Sequence, residues 1–343
     1  MSRELSPPSR DLIVIGTSAG GVEALQVLAR GLPGDLPAAV LVVLHTTPEG
    51  PYLMPEILSR VSALEVVLPR DDGPIEPGKI YIAPPDLHLL VAGDRLHLSR
   101  GPKENRTRPA IDPLFRTAAA SYGSRVIGVI LTGKLDDGTA GACAVKERGG
   151  TLVVQDPEDA LYPSMPASAL RSADADFTCR LSEIAPLLER LVREPAARAP
   201  DVPKSQVYEL ESRFLEMENL SSDEMDSIGT RAGISCPECH GLIWKIKGTG
   251  VPRYRCHVGH AYTALSMLEG QAETQETHLW QALRLMTDRV SLILELRSHA
   301  QHAARREEAS SYGAQVKHLQ KNIESIREML KAEEIPPGTD RAS

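Results

Sequence analysis

Hydrophobic positions follow two rhythms along the chain. In the first half, short apolar runs of strand length recur at 12–15, 40–44, 79–83, 126–131 and 152–154. Patterns of helical period fall between several of them, at 22–30, 54–59 and 113–121. Strands alternating with helices predict parallel strands covered on both faces, an α/β fold with a doubly wound, mostly parallel sheet. One antiparallel hairpin is expected within 88–98, turning at Gly93-Asp94. This domain is assigned to residues 1–193.

Beyond it the rhythm changes. Residues 194–205 are dominated by proline and alanine and read as a linker. Within 206–233, Val207, Leu210, Phe214 and Met217 recur at helical spacing, giving a short helix followed by a polar loop. A cysteine-containing module occupies 234–262. Residues 263–333 are helical, with Leu279, Leu283, Met286, Val290 and Ile293 forming one heptad-like seam and Val316, Leu319, Ile323, Ile326 and Leu330 another. The polar stretch 299–313 between them is read as a turn or an exposed helical stretch. The two seams leave two readings open, a helical hairpin packing its own core, or a coiled-coil arm for oligomerisation or for a signalling partner. The last ten residues, 334–343, are expected to be disordered.

Composition narrows the function. An aromatic content of 4% argues against a base-stacking platform for single strands. A net charge of −8 without a basic tail leaves no electrostatic footprint for a nucleic acid. The longest apolar run, 38–44, is far short of the roughly 18 residues of a membrane span. The opening residues lack the apolar stretch of a secretory signal, so a cytoplasmic protein is expected.

Candidate chemistry sits at strand ends. After the first strand comes Gly16-Thr17-Ser18-Ala19-Gly20-Gly21, a serine in a glycine-flanked turn before a helix. Small residues permit a sharp turn that exposes the hydroxyl, and the helix N-terminus adds backbone N–H groups suited to an oxyanion. Alone, the same turn also fits a phosphate-binding loop. His45 ends the second strand, and Asp136-Asp137 follow the strand at 126–131. In a parallel sheet these three carboxyl ends share one edge, where sites of open α/β folds lie. Serine, histidine and aspartate converging there predict acyl transfer. The chain order Ser, His, Asp differs from the Ser, Asp, His order of α/β-hydrolases.

These residues resemble the catalytic domain of the chemotaxis methylesterase CheB. The resemblance rests on I-G-T-S-A-G-G-V-E-A-L at 15–25, His45, I-A-P-P-D-L-H-L at 82–89, R-P-A-I-D-P-L-F-R at 108–116, L-T-G-K-L-D-D-G-T-A-G at 131–141 and Q-D-P-E-D-A-L-Y-P-S-M-P at 155–166. It implies hydrolysis of glutamate γ-methyl esters on chemoreceptors or related signalling proteins, with glutamine deamidation in many members. Ser18 would be the nucleophile, His45 the base and Asp137 the orienting acid, ahead of Asp136. No catalytic cofactor is implied. Arg108, Asp112, His88 and Met165 lie in family-like motifs and are secondary candidates for the cleft, while Cys143 and Cys179 read as buried thiols. The chain departs from the family where Lys134 and Leu135 stand in place of a methionine, whose N–H helps form the oxyanion hole, and a glycine; Thr46 stands where a methionine is usual. The receiver domain that precedes many relatives is not expected here. Two rival readings follow, a non-catalytic adaptor that binds a methylatable partner and a small-molecule esterase.

Cys236-Pro237-Glu238-Cys239 is followed by Cys256-His257-Val258-Gly259-His260, with an apparent strand pair between. Two knuckles at the tips of a hairpin form a zinc-ribbon layout, which predicts a closed structural zinc held by Cys236, Cys239, Cys256 and His260. His260 is preferred to His257, whose side chain should diverge from that of the adjacent Cys256. The flanking Lys245, Lys247, Arg253 and Arg255 are too mixed with acidic neighbours to announce nucleic acid. A regulatory or protein-interaction role is expected for this extension.

Overall fold

The computed structural model describes residues 9–48, 52–197, 200, 205–248 and 250–332. The tail 334–343 and part of the 194–205 linker lie outside the described residues. Seven parallel strands form one sheet in the order β3 (Glu65–Val67), β4 (Lys79–Ile82), β2 (Ala39–Leu44), β1 (Leu12–Thr17), β7 (Val126–Ile130), β8 (Thr151–Gln155), β9 (Phe177–Cys179). Helices α1 (Gly21–Gly31), α2 (Met54–Ser59) and α6 (Leu181–Arg193) cover one face. Helices α3 (Ile111–Tyr122), α4 (Thr139–Glu147) and α5 (Ser164–Ser172) cover the other, with a hairpin of β5 (His88–Ala92) and β6 (Arg95–Ser99).

The unbroken apolar strands follow from this double cover. Along β1, Leu12 and Val14 enter one core while Ile13 and Ile15 enter the other. With no solvent face there is no polar alternation, and each such side chain contributes about 1.5–3 kcal/mol by leaving water. The expected doubly wound α/β sheet is therefore present. The pattern did not mark β3 and β9, each three residues long and at a sheet edge.

Residues 205–268 pack with the sheet domain, and the chain divides into two compact units, Met1–Leu268 and Glu269–Ser343. Helix α7 (Gln206–Leu215) begins at Ser205, whose hydroxyl accepts the Tyr208 N–H. The polar stretch 221–233, expected as a loop, instead forms α8 (Ser222–Ile228) and β10 (Gly229–Ser235). Ser221 and Glu224 cap α8 reciprocally, and Met225 and Ile228 anchor it in a core with Phe214 and Trp244. Strands β10, β11 (Leu242–Ile246), β12 (Arg253–Cys256) and β13 (Ala261–Thr263) make an antiparallel sheet in that order. The segment around Glu104 lies beside β13: the Ala261 N–H donates to Lys103 O at 3.2 Å, and the Asn105 N–H donates to Ala261 O at 2.8 Å.

A buried ion network fastens the small sheet to the large one. Glu104 accepts both Arg116 nitrogens, at 2.9 and 2.8 Å, and Arg255 Nη2 at 2.8 Å. Arg255 also reaches Glu211 at 3.0 Å, and Arg253 holds Glu211 at 2.8 Å. Burial alone would raise both carboxyls, but the arginines overcome it, holding Glu104 well below the glutamate range and Glu211 at about 2. Stability from these depressed groups is present above the ordinary glutamate pKa of about 4.3 and is lost as pH falls from there toward 2. Removing one partner strands a buried charge, so Arg255→Leu should lower unfolding free energy by about 3–5 kcal/mol in urea titrations at neutral pH. Glu211→Gln should also flatten the loss of stability between pH 5 and pH 3.

In the second unit, Ile293 of α9 (Ala264–His302) packs on Val316 and Leu319 of α10 (Arg306–Ala332), flanked by Met286, Val290 and Tyr312. Both seams thus meet in one hydrophobic cluster. The polar stretch 299–313 holds the end of α9, the turn and the start of α10.

Candidate active site

Ser18, His45 and Asp137 each lie just beyond the carboxyl end of a neighbouring strand, β1, β2 and β7. The chain leaves β1 for β2 on one side and later adds β7 on the other, so the three stand at the point where winding reverses. His45 Nδ1 lies 3.2 Å from Ser18 Oγ, and His45 Nε2 lies 2.7 Å from Asp137 Oδ2. Since Asp137 accepts from Nε2, the neutral ring carries its proton there and leaves Nδ1 free to take the serine proton. This is the reverse of the serine-protease arrangement, in which Nε2 faces the serine. The serine hydroxyl and the imidazole are within hydrogen-bond reach of each other either way.

Asp137 is almost fully buried and heavily bonded. Its Oδ2 also accepts the Ile111 N–H at 2.7 Å; its Oδ1 accepts Asn105 Nδ2 at 2.8 Å and the Gly138 N–H at 2.9 Å. Burial works against the charge, but His45, the Ile111 N–H and Asn105 outweigh it and hold Asp137 below the usual carboxylate range. Gly138 has φ of +91°, and a Cβ there would press on Ile111 and Ile130 at 2.8 Å. The glycine thus lets Ile111 reach the aspartate. Asp112 lies beside Asp137 and is pushed up to about 8, first by burial and then by the Asp137 charge. Of the two neighbouring carboxyls, Asp112 is thus the one pushed toward its neutral form and Asp137 the one held toward its charged form.

The secondary candidates divide. Asp112 and Met165 belong to this centre, Asp112 through Asn105 and Met165 by packing against Gly133, which itself abuts Ser18. Arg108 instead holds Asp86 at 2.6 Å and the carbonyls of Arg100 and Gly101, while buried His88 donates to Pro102 O at 3.0 Å. Asp136 accepts the Thr263 hydroxyl at 2.7 Å, with its carboxyl raised to about 6, mainly by burial. Cys143 is buried, with its thiol donating to Ser172 O, whereas Cys179 is only half-buried. Sequence reasoning missed Asn105, Thr263 and Ser266. Asn105 lies in a polar run without periodicity, Thr263 and Ser266 are small polar residues among apolar ones at the start of a helical stretch, and only the fold brings 105 and 263 together.

A second constellation lies in the small sheet. Cys236, Cys239, Cys256 and His260 bring their ligand atoms within 4.8 Å of one another. Cys239 Sγ and Cys256 Sγ are 3.7 Å apart, and His260 Nδ1 is 3.8 Å from Cys236 Sγ and 3.5 Å from Cys256 Sγ. A tetrahedral zinc with bonds of about 2.3 Å to sulfur and 2.0 Å to nitrogen sets edges of about 3.5–3.8 Å, so the donors fit it. Tyr262 Oη lies 3.2 Å from Cys236 Sγ, an outer partner for a thiolate. His257 turns toward Trp244, with ring centroids 6.2 Å apart. Of the four flanking basic residues, Arg253 and Arg255 are buried in the ion network.

Comparison with known proteins decides the lineage of the larger sheet. Residues 13–188 match the family model for CheB methylesterase. The chain belongs to the CheB methylesterase family. A protein-glutamate methylesterase/protein-glutamine glutaminase of Methanosarcina mazei is 36% identical over 192 residues, 54% of this chain and 52% of that protein. A putative enzyme of the same name from Leptospira interrogans is 37% identical over 182 residues, 53% of this chain and 94% of that protein. The chain thus spans about half the length of the Methanosarcina relative. The crystal structure of the Thermotoga maritima CheB methylesterase catalytic domain is 36% identical, covering 54% of this chain and all of that domain, with a TM-score of 0.52.

The CheB match ends before α7, so the Cys/His cluster and the long helices lie outside it. Within the CheB domain, the departure at Leu135 leaves the backbone at φ +60°, the left-handed region that glycine favours. Lys134 is exposed, with its ammonium 5.4 Å from the Tyr162 ring centroid.

Proposed function

We propose that this chain is a protein-glutamate methylesterase acting on chemoreceptors or related signalling proteins. The observation that carries this reading is the continuous path from Ser18 through His45 to Asp137, at 3.2 and 2.7 Å, on the CheB scaffold. Ser18 Oγ attacks the γ-ester carbonyl carbon as its proton passes to His45 Nδ1. The resulting oxyanion is met by backbone N–H groups past Ser18 in the turn after β1 and at Lys134, since the N–H groups of Ser18 and Gly133 already serve Thr132 O and Tyr162 O. The tetrahedral intermediate collapses, and methoxide leaves as methanol with the proton from Nδ1. Water, losing a proton to His45, then attacks the acyl-enzyme, and glutamate departs as Ser18 regains its hydrogen. Glutamine would follow the same path with ammonia as the leaving group.

No cofactor enters this chemistry. Zinc is proposed at Cys236, Cys239, Cys256 and His260 in a structural role, since four protein donors leave no open position. No helix among the described residues is long and apolar enough to cross a membrane, and the cytoplasm is proposed as the place of action. The α9–α10 hairpin is proposed as the part that meets a signalling partner or a second copy.

The test is methanol release by the full chain from a methylated receptor fragment, beside release from a simple methyl ester. Release from the receptor fragment well above the simple ester supports the proposal. Comparable rates favour a small-molecule esterase. Binding without methanol release would leave the adaptor reading.

A further inference from the structure

Asn105 occupies a singular position behind the proposed site. Its side-chain nitrogen donates to two carboxyls at once, Asp137 Oδ1 at 2.8 Å and Asp112 Oδ2 at 2.9 Å. Its side-chain oxygen accepts two donors from residues far along the chain, the Thr263 N–H at 2.9 Å and the Ser266 hydroxyl at 2.8 Å. Every hydrogen-bonding valence of the amide is therefore used. The orientation is forced, because a flipped amide would aim its oxygen at two carboxyls and its NH2 at the Thr263 N–H. The backbone is held as well: the Asn105 N–H donates to Ala261 O, and its φ of +50° lies in the left-handed region that asparagine tolerates.

The second anchor runs through the neighbouring aspartate. Thr263 Oγ1 donates to Asp136 Oδ1 at 2.7 Å, so a residue of β13 grips the loop that carries Asp137. Thr263 also accepts the Ser266 N–H at 3.1 Å and thereby starts α9. Just behind, Arg255 of β12 reaches Glu104, the residue before Asn105, at 2.8 Å. Three residues of the Cys/His sheet, Arg255, Ala261 and Thr263, thus converge on two adjacent points, the 104–105 turn and the 136–137 loop.

We propose that Asn105 is a positioning residue for the esterase reaction, held in register by Thr263 and Ser266, so that the Cys/His module completes the catalytic centre. The Asn105 side chain bonds to Asp137, Asp112, Thr263 and Ser266 and not to His45. It acts through Asp137, fixing the plane of the carboxylate so that Oδ2 faces Nε2 of His45. Its NH2 also bridges Asp137 and Asp112, tying both carboxyls to one amide plane. The argument rests on the methylesterase reading for its consequence in rate, but the geometry can be tested apart from activity.

The experiment compares full-length wild type, Asn105→Ala, Ser266→Ala and Ser18→Ala by two readouts. The first is methanol release resolved into kcat and KM. The second is the proton resonance of His45 Nε2–H, which reports its hydrogen bond to Asp137 whether or not any ester is turned over. Asn105→Ala should lower kcat by about 10–100-fold, the scale expected of misplaced catalytic groups, with KM little changed. The His45 Nε2–H resonance should shift upfield or broaden. Ser266→Ala, a milder change that removes one of the two donors to the Asn105 oxygen, should move both readouts in the same direction by less. It also keeps the idea testable if Asn105→Ala does not fold. An unchanged resonance in folded Asn105→Ala or Ser266→Ala overturns the positioning role, even if the rate falls. A shifted resonance with wild-type kcat also overturns it. If instead Ser18→Ala matches wild type in methanol release, the methylesterase reading fails, and the resonance alone then decides whether Asn105 positions Asp137.

Discussion

Ser18→Ala should cut methanol release from a methylated receptor fragment by on the order of 10³-fold or more, the response expected when a triad loses its nucleophile. The expectation follows from what the substitution leaves intact. His45 keeps its 2.7 Å bond to Asp137, and the Ser18 backbone N–H keeps its 3.1 Å bond to Thr132 O, so the turn and the His45–Asp137 hydrogen bond persist without the hydroxyl. Alanine fits wherever serine fits, and unfolding free energy should change by no more than about 0.5 kcal/mol. The variant should therefore bind methylated receptor as wild type does while failing to release methanol. Because nucleophile and base act as one unit, adding His45→Gln to Ser18→Ala should cost little more than either alone. Multiplicative losses in the double variant would mean that the histidine acts independently of the serine. Equal methanol release by wild type and Ser18→Ala would remove the nucleophile from the proposal altogether.

The strand ends were legible because parallel strands buried on both faces announce themselves as unbroken apolar runs, and each run ends where chain polarity returns. Ser18, His45 and Asp137 could be placed on one sheet edge from that alone. The Cys236 to His260 spacing was legible for a related reason: ligand chemistry tolerates few residue types. What lay beyond reach was polar chemistry without period. Asn105 sits in the run Gly101-Pro102-Lys103-Glu104-Asn105-Arg106, where nothing distinguishes an amide bonding two buried carboxyls from a solvated loop residue. Glu104, Arg116, Glu211 and Arg255 carry charges that sequence reasoning assigns to the surface, yet all four are buried in one network, whose Arg255–Glu104 link spans 151 residues of chain. Helix α8 escaped notice since only Met225 and Ile228 anchor it, although the Ser221 and Glu224 capping pair was there to be read. Local signals thus gave the larger sheet and its site, while the join between the two sheets is a property of long-range pairing.

That join makes loss of metal the other large effect to expect. The four proposed ligands lie at the ends of β10, β11, β12 and β13 or just beyond them, and few apolar residues pack around them. A sheet this small has little core of its own, and ligand binding supplies stability as it does in other compact metal modules. If the metal is held at 1,000 times its dissociation constant, removing it withdraws about 4 kcal/mol. For a unit of this size that corresponds to a fall in Tm of about 10 °C. The functional loss should accompany the structural one, although no step of ester hydrolysis requires a metal. Without the ligands, β12 and β13 lose their tether, and with them go Arg255 on Glu104, Thr263 on Asp136 and both donors to the Asn105 oxygen. Chelator-treated protein and Cys256→Ser should therefore show reduced metal content, a lowered Tm and a lower kcat for methanol release, and zinc should restore all three only in the chelated wild type. A metal-free chain that keeps its Tm and its kcat would show that the Cys/His sheet stands without an ion. A chain that loses Tm but keeps kcat would separate the module from the triad, and would count against Asn105 as the link between them.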